Sequence, residues 1–189
     1  AARIVTVHSP HAEAADLSTA IAAVGRELVA MGLVAVHDPG AVVPDPDLTF
    51  SYPAYADLSD GGRLPLRVHA CLRDDGLDTA LAGGLRSGDV LGADPAGRAR
   101  VGWLKCFADG SMGSRTARLL EDLEAEPDRP MAADARRGLW MTDPDVLREL
   151  VGRAAAGGIS TQIHAIGDAA VREALDLLAP VGGRLPLMP

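Results

Sequence analysis

Short apolar segments alternate with segments of helical periodicity along this chain, and that alternation constrains the fold more than any other feature. Four segments have the length and composition of buried strands: 33–38, 65–73, 101–109 and 159–168. Helices are predicted over 17–31, near 52–58 and 77–86, and from residues 116, 142 and 168. Such an order is typical of an α/β fold with a parallel sheet and outer helices. The sequence predicts one α/β domain over 1–189, with 181–189 as a tail of unassigned structure.

The predicted helices carry specific packing and capping signals. One apolar stripe is expected on the first helix, formed by Leu17, Ile21, Val24, Leu28 and Met31. Thr142 and Asp145 have the spacing of a capping box. Asp168 is the predicted N-cap of the last helix.

Ionisable residues collect where the predicted strands end. His37 and Asp38 close the first strand, Asp109 ends the third, and His164 lies near the end of the fourth. Parallel α/β proteins place their chemistry at the carboxyl ends of their strands. Asp38 either orients His37 or serves the turn that follows at Pro39.

Lys105 stands inside an apolar strand and is the single lysine among 18 basic residues. Strand alternation places it on one face with Val101, Trp103, Phe107 and Asp109. Burial disfavours the ammonium and lowers a lysine pKa, and a neutral amine can form a carbamate, which is an anionic metal ligand. The alternatives are an ion pair with Asp109 or a side chain that reaches solvent. His164 is either a zinc ligand or a hydrogen-bonded core histidine.

Composition excludes several classes of partner. A net charge of −8 argues against nucleic acid. No apolar run reaches the ~18–20 residues of a membrane helix, and no signal peptide is recognised. Cys71 and Cys106 form no CxxC pair, which favours a reducing cytoplasm. A small molecule is the expected substrate.

Three sequence blocks resemble the YtcJ-like amidohydrolases, also called amidohydrolase family 3. They are VAVHDPG, LKCFADGSMGSRTA and QIHAIGDAAVREALD. The resemblance implies a partial (β/α)8 barrel, about strands two to five of eight, with a metal centre at its carboxyl face. Lys105 would be the carboxylated bridging lysine and His164 a metal ligand. The residues that would support the ligands or contact the substrate beside the site are His37, Asp38, Asp109, Ser111 and Arg115.

The implied activity is metal-dependent hydrolysis of a carbon–nitrogen bond, in a non-peptide amide or N-formyl group, by metal-activated water. One or two divalent ions are expected, zinc first, with manganese or iron as alternatives. The first-strand HxH pair of the family is absent, and HSPH (8–11) has the wrong spacing. The sixth-strand histidine and the eighth-strand aspartate base are also absent. The chain is therefore expected to be incomplete, inactive alone and self-associating.

A different class of function stays open on the residues alone. The DGSMGS loop (109–114) is rich in glycine and serine, as anion-binding loops are, although it lacks the phosphate-loop spacing. A non-catalytic domain that binds a small anion, or that pairs with another chain to complete a barrel, is the alternative. Geometry separates the two: in a metal site, Lys105 and His164 should share a face with their side-chain ends about 4–8 Å apart.

Overall fold

The computed structural model describes residues 14–41, 44–124, 128 and 130–182, and its strands and helices alternate as predicted. The helices are α1 (Ala14–Ala30), α2 (Tyr52–Asp60), α3 (Leu77–Ala82), α4 (Pro144–Ala156) and α5 (Asp168–Leu178). The strands are β1 (Ala35–Asp38), β2 (Arg67–Leu72), β3 (Ala99–Phe107) and β4 (Thr161–His164). The HSPH pattern, and the predicted tail from residue 183 onward, lie outside the described residues.

The four strands form one sheet in the order β1-β2-β3-β4. β1 and β2 are parallel, with His37 opposite His69. β3 and β4 are also parallel, with Phe107 opposite His164. Consecutive parallel strands joined by helices confirm the α/β prediction, because such strands need crossover connections. Among the described residues, no helix is both long and apolar enough to cross a membrane.

The chain divides into two compact units, Ala1–Trp103 and Leu104–Pro189, with the boundary inside β3. In the first unit, β2 buries Val68, Ala70 and Leu72 almost completely. A Cβ at Gly102 would lie 2.8 Å from the carbonyl carbon of Ala70. Glycine at this position therefore lets the first half of β3 approach β2 closely.

In the second unit, alternate residues of β3 have different surroundings. Leu104, Cys106 and Ala108 are buried, whereas Lys105 and Phe107 between them are half-buried. Helix α4 contributes an apolar face and packs against β4 and α5; its buried residues are Leu147, Leu150, Val151 and Ala154. The period of two along β3 thus separates a closed face from a more open face that carries Lys105.

The helix predicted from Thr116 is wrong. Residues 116–124 contain no helix, and their amides bond to distant groups instead. Leu119 N donates to the Arg137 carbonyl, Leu123 N to the Arg136 carbonyl, and Leu120 N to a carboxylate oxygen of Asp168. These long-range bonds satisfy the backbone that a helix would otherwise pair internally, so tertiary structure overrides the local preference.

The predicted packing and capping details need three corrections. On α1, Val24 and Met31 are 54% and 68% exposed, so the expected stripe is only partly buried. Helix α4 is capped by Asp143, whose carboxylate accepts from the Asp145 amide, and not by a box from Thr142. Helix α5 has Gly167 as its N-cap, and Asp168 is its first residue.

Candidate functional site

The open face of the second unit brings Lys105 and His164 together. Because Lys105 is opposite Gln162 and Phe107 is opposite His164, all four side chains leave the same side of the sheet. The Lys105 amine lies 5.0 Å from the centre of the Phe107 ring. The His164 ring lies 5.2 Å from the same centre. The shared face expected for these two residues is therefore observed, with Phe107 in contact with both.

The His164 ring has a defined hydrogen bond that selects its tautomer. Nε2 lies 2.8 Å from the carbonyl oxygen of Gly110. Since a carbonyl can only accept, Nε2 carries the hydrogen, and the lone pair of the neutral ring lies on Nδ1. A histidine that donates one ring N–H to a backbone carbonyl is the usual form of a metal-ligating imidazole. The chemistry of His164 thus fits a metal ligand.

Asp109 is a polar residue of this unit whose side chain is fully buried. Its carboxylate accepts backbone N–H groups from Arg118 at 2.8 Å, Ile166 at 3.0 Å and Gly167 at 2.7 Å. One of its oxygens lies 3.9 Å from His164 Nε2. The residue predicted beside the metal site is therefore an anchor that joins the DGSMGS loop to the segment after β4.

The loop after Asp109 is closed by its own side chains. Ser111 N donates to the Thr116 hydroxyl, Ser114 N to the Ser111 hydroxyl, and Thr116 N to the Ser111 carbonyl. Arg115 adopts a left-handed backbone with φ of 57°. Several backbone amides of this loop are already paired within the loop, and an anion-binding loop needs such amides for its ligand. The structure therefore supports the anion-binding hypothesis less than the sequence does.

Gly167 lies against the backbone of Arg118. A Cβ at Gly167 would be 1.9 Å from the Arg118 carbonyl oxygen and 2.6 Å from its nitrogen. The same approach allows Ala170 N to donate to that carbonyl. The glycine of the HAIGD block is therefore required by close packing, a role that its sequence context did not indicate.

The remaining two predicted site residues, His37 and Asp38, belong to the first unit. His37 contacts the rings of His69 and Trp103, with centres 4.8 and 4.7 Å apart. Asp38 accepts from the Gly40 amide at 3.0 Å and from the Tyr55 hydroxyl at 2.7 Å. Asp38 thus serves the turn and Tyr55, and burial together with the Asp38 charge raises the Tyr55 pKa.

The pKa of the His69 imidazole lies below its ordinary value. Burial lowers its pKa first, followed by the positive charges of His37, Arg100 and Arg67. Its Nδ1 atom is buried and has no hydrogen-bond partner among the described residues. His69 therefore favours the neutral form in the folded chain.

The described residues do not form a complete metal centre. No cluster of three or more His, Cys, Asp and Glu side chains with metal-binding geometry occurs among them. A catalytic zinc ion usually has three protein ligands. Lys105 and His164 stay predicted ligands, and further donors are needed to complete the site.

Comparison with known proteins decides the family. A profile described as "Amidohydrolase family" matches residues 1–188. The chain belongs to the amidohydrolase family. Within it, the chain is similar to the protein named "Putative amidohydrolase YtcJ" of Bacillus subtilis (strain 168), with 28% identity over 141 residues, which are 73% of this chain and 24% of the relative.

Two solved structures have the same fold as this amidohydrolase chain. An uncharacterized metal-dependent hydrolase from Pyrococcus furiosus shares 27% identity at a TM-score of 0.72, covering 95% of this chain and 34% of its own. A second, from Pyrococcus horikoshii OT3, shares 23% identity at a TM-score of 0.73, covering 95% and 33%. The chain thus spans a quarter to a third of these relatives. The match confirms the predicted fold class, an α/β part of a (β/α)8 barrel.

Gly167→Ala should destabilise the chain strongly, because its methyl group would overlap the Arg118 backbone. We expect a loss of about 3 kcal/mol or more in the free energy of unfolding, measured by urea denaturation. Gly152→Ala is the matched control: it lies within α4 with no atom near its Cβ position. That variant should gain about 0.5–1 kcal/mol. Equal midpoints for Gly167→Ala and the wild type would refute the packing role.

His69 should make stability depend on pH. Its folded pKa is lowered, so the unfolded chain binds the proton more readily, and stability falls as pH drops below about 6.5. His69→Gln should reduce the slope of the unfolding free energy against pH between pH 5 and 7. The reduction should be less than about 1.4 kcal/mol per pH unit, which is the limit for one proton. Urea unfolding at several pH values measures this slope, and identical slopes would contradict the prediction.

Proposed function

We propose that this chain is part of a metal-dependent hydrolase that cleaves carbon–nitrogen bonds in non-peptide amides or N-formyl compounds. The observation that carries the proposal is the shared open face of Lys105 and His164, with a His164 tautomer suited to metal binding. Family membership and the metal-dependent hydrolases of similar fold support it. The substrate would be a small molecule.

Lys105 would act as its carbamate. A neutral lysine amine attacks carbon dioxide, a nitrogen–carbon bond forms, and one amine proton leaves to solvent. The product is a carboxylate-like anion at the end of the side chain. The half-buried Lys105 amine lies 5.0 Å from the centre of the Phe107 ring, on the face of the sheet that also carries His164.

Lys105 and His164 would hold the metal, with zinc as first choice and manganese or iron as alternatives. A bound ion of this kind lowers the pKa of its water to about 7 and polarises the carbonyl to be attacked. The rest of the chain keeps the ligand in place: the Gly110 carbonyl orients the His164 ring, and Asp109 fixes the loops on both sides. With two of the required donors and no assigned base, we expect the 189-residue chain alone to show no turnover.

Zinc titration tests the metal assignment. His164→Gln should weaken zinc binding by at least about tenfold, the scale of losing a ligand or its support. His69→Gln is the matched control, because it removes an imidazole of the first unit and should leave the affinity unchanged. Calorimetry measures both, and equal zinc affinity of His164→Gln and the wild type would refute the assignment.

Lys105 is tested by the same titration with labelled bicarbonate. In the wild type with zinc, a carbamate carbon signal should appear in the ¹³C spectrum. Lys105→Met should lack this signal and bind zinc more weakly. A carbamate signal that persists in Lys105→Met would assign it to another amine and remove Lys105 from the site.

We also propose that the chain self-associates. β1 and β4 stand at the two ends of the strand order, and strands at sheet edges offer unpaired backbone groups to other chains. Light scattering at tens of micromolar should find species heavier than the 19.5 kDa monomer. A single species of monomer mass would contradict this.

A further inference from the structure

Phe107 contacts both predicted metal ligands on the open face of the second unit. The Lys105 amine lies 5.0 Å from the centre of the Phe107 ring, and the centre of the His164 ring lies 5.2 Å from it. Lys105 precedes Phe107 by two positions on β3, and His164 is opposite Phe107 on β4. One aromatic side chain therefore lies against the predicted ligands of two neighbouring strands.

The hydrogen bond of His164 does not by itself define the plane of its ring. The bond from Nε2 to the Gly110 carbonyl fixes the position of that nitrogen, but a carbonyl oxygen accepts hydrogen bonds over a broad range of directions. The Phe107 ring lies at 35° to the imidazole plane, and aromatic rings at such separations prefer particular relative orientations. The two contacts together therefore define the direction of the Nδ1 lone pair.

The Phe107 ring also restricts the Lys105 side chain. Lysine carries its charge on a flexible four-carbon stem, and holding such a side chain in one place costs rotamer entropy. An ammonium within about 6 Å of an aromatic ring centre is attracted to the face of the ring. The Lys105 amine lies within that range, so the ring favours positions of the amine on the open face.

Phe107 does not belong to the buried core. Leu104, Cys106 and Ala108 fill the closed face of β3, whereas Phe107 is half-buried on the opposite face. Hydrophobic stabilisation scales with the apolar area removed from water, so a half-buried ring contributes less to folding than a fully buried ring of the same size. The place of Phe107 beside the two predicted ligands therefore calls for a further explanation.

We propose that Phe107 is a positioning residue, which orders the Lys105 and His164 side chains before a metal ion binds. Ordering groups in advance reduces the entropy that is lost on binding, so preorganised ligands hold an ion more tightly. This inference rests on the proposed metal-dependent hydrolase and adds to it a residue outside the ligand set. The ordering itself is a property of the metal-free chain and is measured there.

The first measurement is the ¹H–¹³C spectrum of the metal-free chain. Lys105 is the single lysine, so lysine labelled at its ε carbon gives one side-chain signal. Protons above the face of a benzene ring resonate upfield. The ε protons of Lys105 should therefore lie upfield of their position in the urea-unfolded chain. The ring protons of His164, assigned with His164→Gln, should shift in the same direction.

Four variants separate ordering from ordinary packing. Phe107→Leu keeps an apolar side chain without the ring and should move both sets of signals towards their unfolded positions. Phe107→Tyr keeps the ring and should retain the wild-type shifts. Phe50→Leu is the matched control: it removes the other phenylalanine, which is 40% exposed in the first unit, and should change neither set. Circular dichroism verifies folding, and Phe107→Met replaces Phe107→Leu if that variant does not fold.

The second measurement is the affinity for zinc by calorimetry. Phe107→Leu should bind zinc about fivefold more weakly, the scale of a lost ring contact and less than the loss expected for His164→Gln. Phe107→Tyr and Phe50→Leu should bind zinc as the wild type does. Restored affinity in the tyrosine variant is expected only if the ring itself, and not the hydrophobic volume alone, orders the ligands.

The two measurements distinguish failure of this inference from failure of the proposed function. Unshifted Lys105 and His164 signals in the wild type, or equal signals in Phe107→Leu and the wild type, would refute the ordering. Equal zinc affinity of Phe107→Leu and the wild type would refute the positioning role while leaving the metal site in place. If the wild type binds no zinc but its metal-free signals shift as expected, the metal proposal fails and the ordering by Phe107 is upheld.

Discussion

The organisation of the second unit depends on one buried carboxylate. Asp109 receives three backbone N–H groups, and charge-assisted bonds of this kind are about twice as strong as neutral ones. Its partners come from the loop after β3 and from the segment that leads into α5. A single side chain thereby fixes the ends of β3 and β4 relative to each other and surrounds His164 with ordered backbone. Without it, the amides of Arg118, Ile166 and Gly167 would be left to find other acceptors.

In this arrangement the structural roles belong to residues other than the two predicted metal ligands. Asp109 and Gly167 hold the backbone, and Gly110 orients the His164 ring through its carbonyl. Lys105 and His164 are then displayed on the open face without being needed for the core, which lies on the opposite side of β3. The DGSMGS and HAIGD blocks thus depend on each other for hydrogen bonds. Asp109 of the first block accepts from amides of the second, and His164 of the second block donates to the Gly110 carbonyl of the first.

Local periodicity was enough to predict the strands and the face that each side chain takes. Lys105 and His164 share a face because strand alternation has a period of two and the β3–β4 register keeps it. Prediction failed where long-range contacts decide. Residues 116–124 have the composition of a helix start, but their amides bond to 136–137 and Asp168. Likewise, no local sequence pattern could predict that Asp38 accepts a hydrogen bond from Tyr55, or that Arg118 lies against the Trp140 ring.

The long span of the Asp109 contacts has a consequence for synthesis. Gly167, its most distant amide donor, follows it by 58 positions. At a translation rate of roughly 5–20 residues per second, the ribosome needs about 3–12 s to deliver that donor. During this interval the later amide partners of the carboxylate have not yet been made. The environment of His164 therefore forms late, after β4 and the start of α5 have emerged.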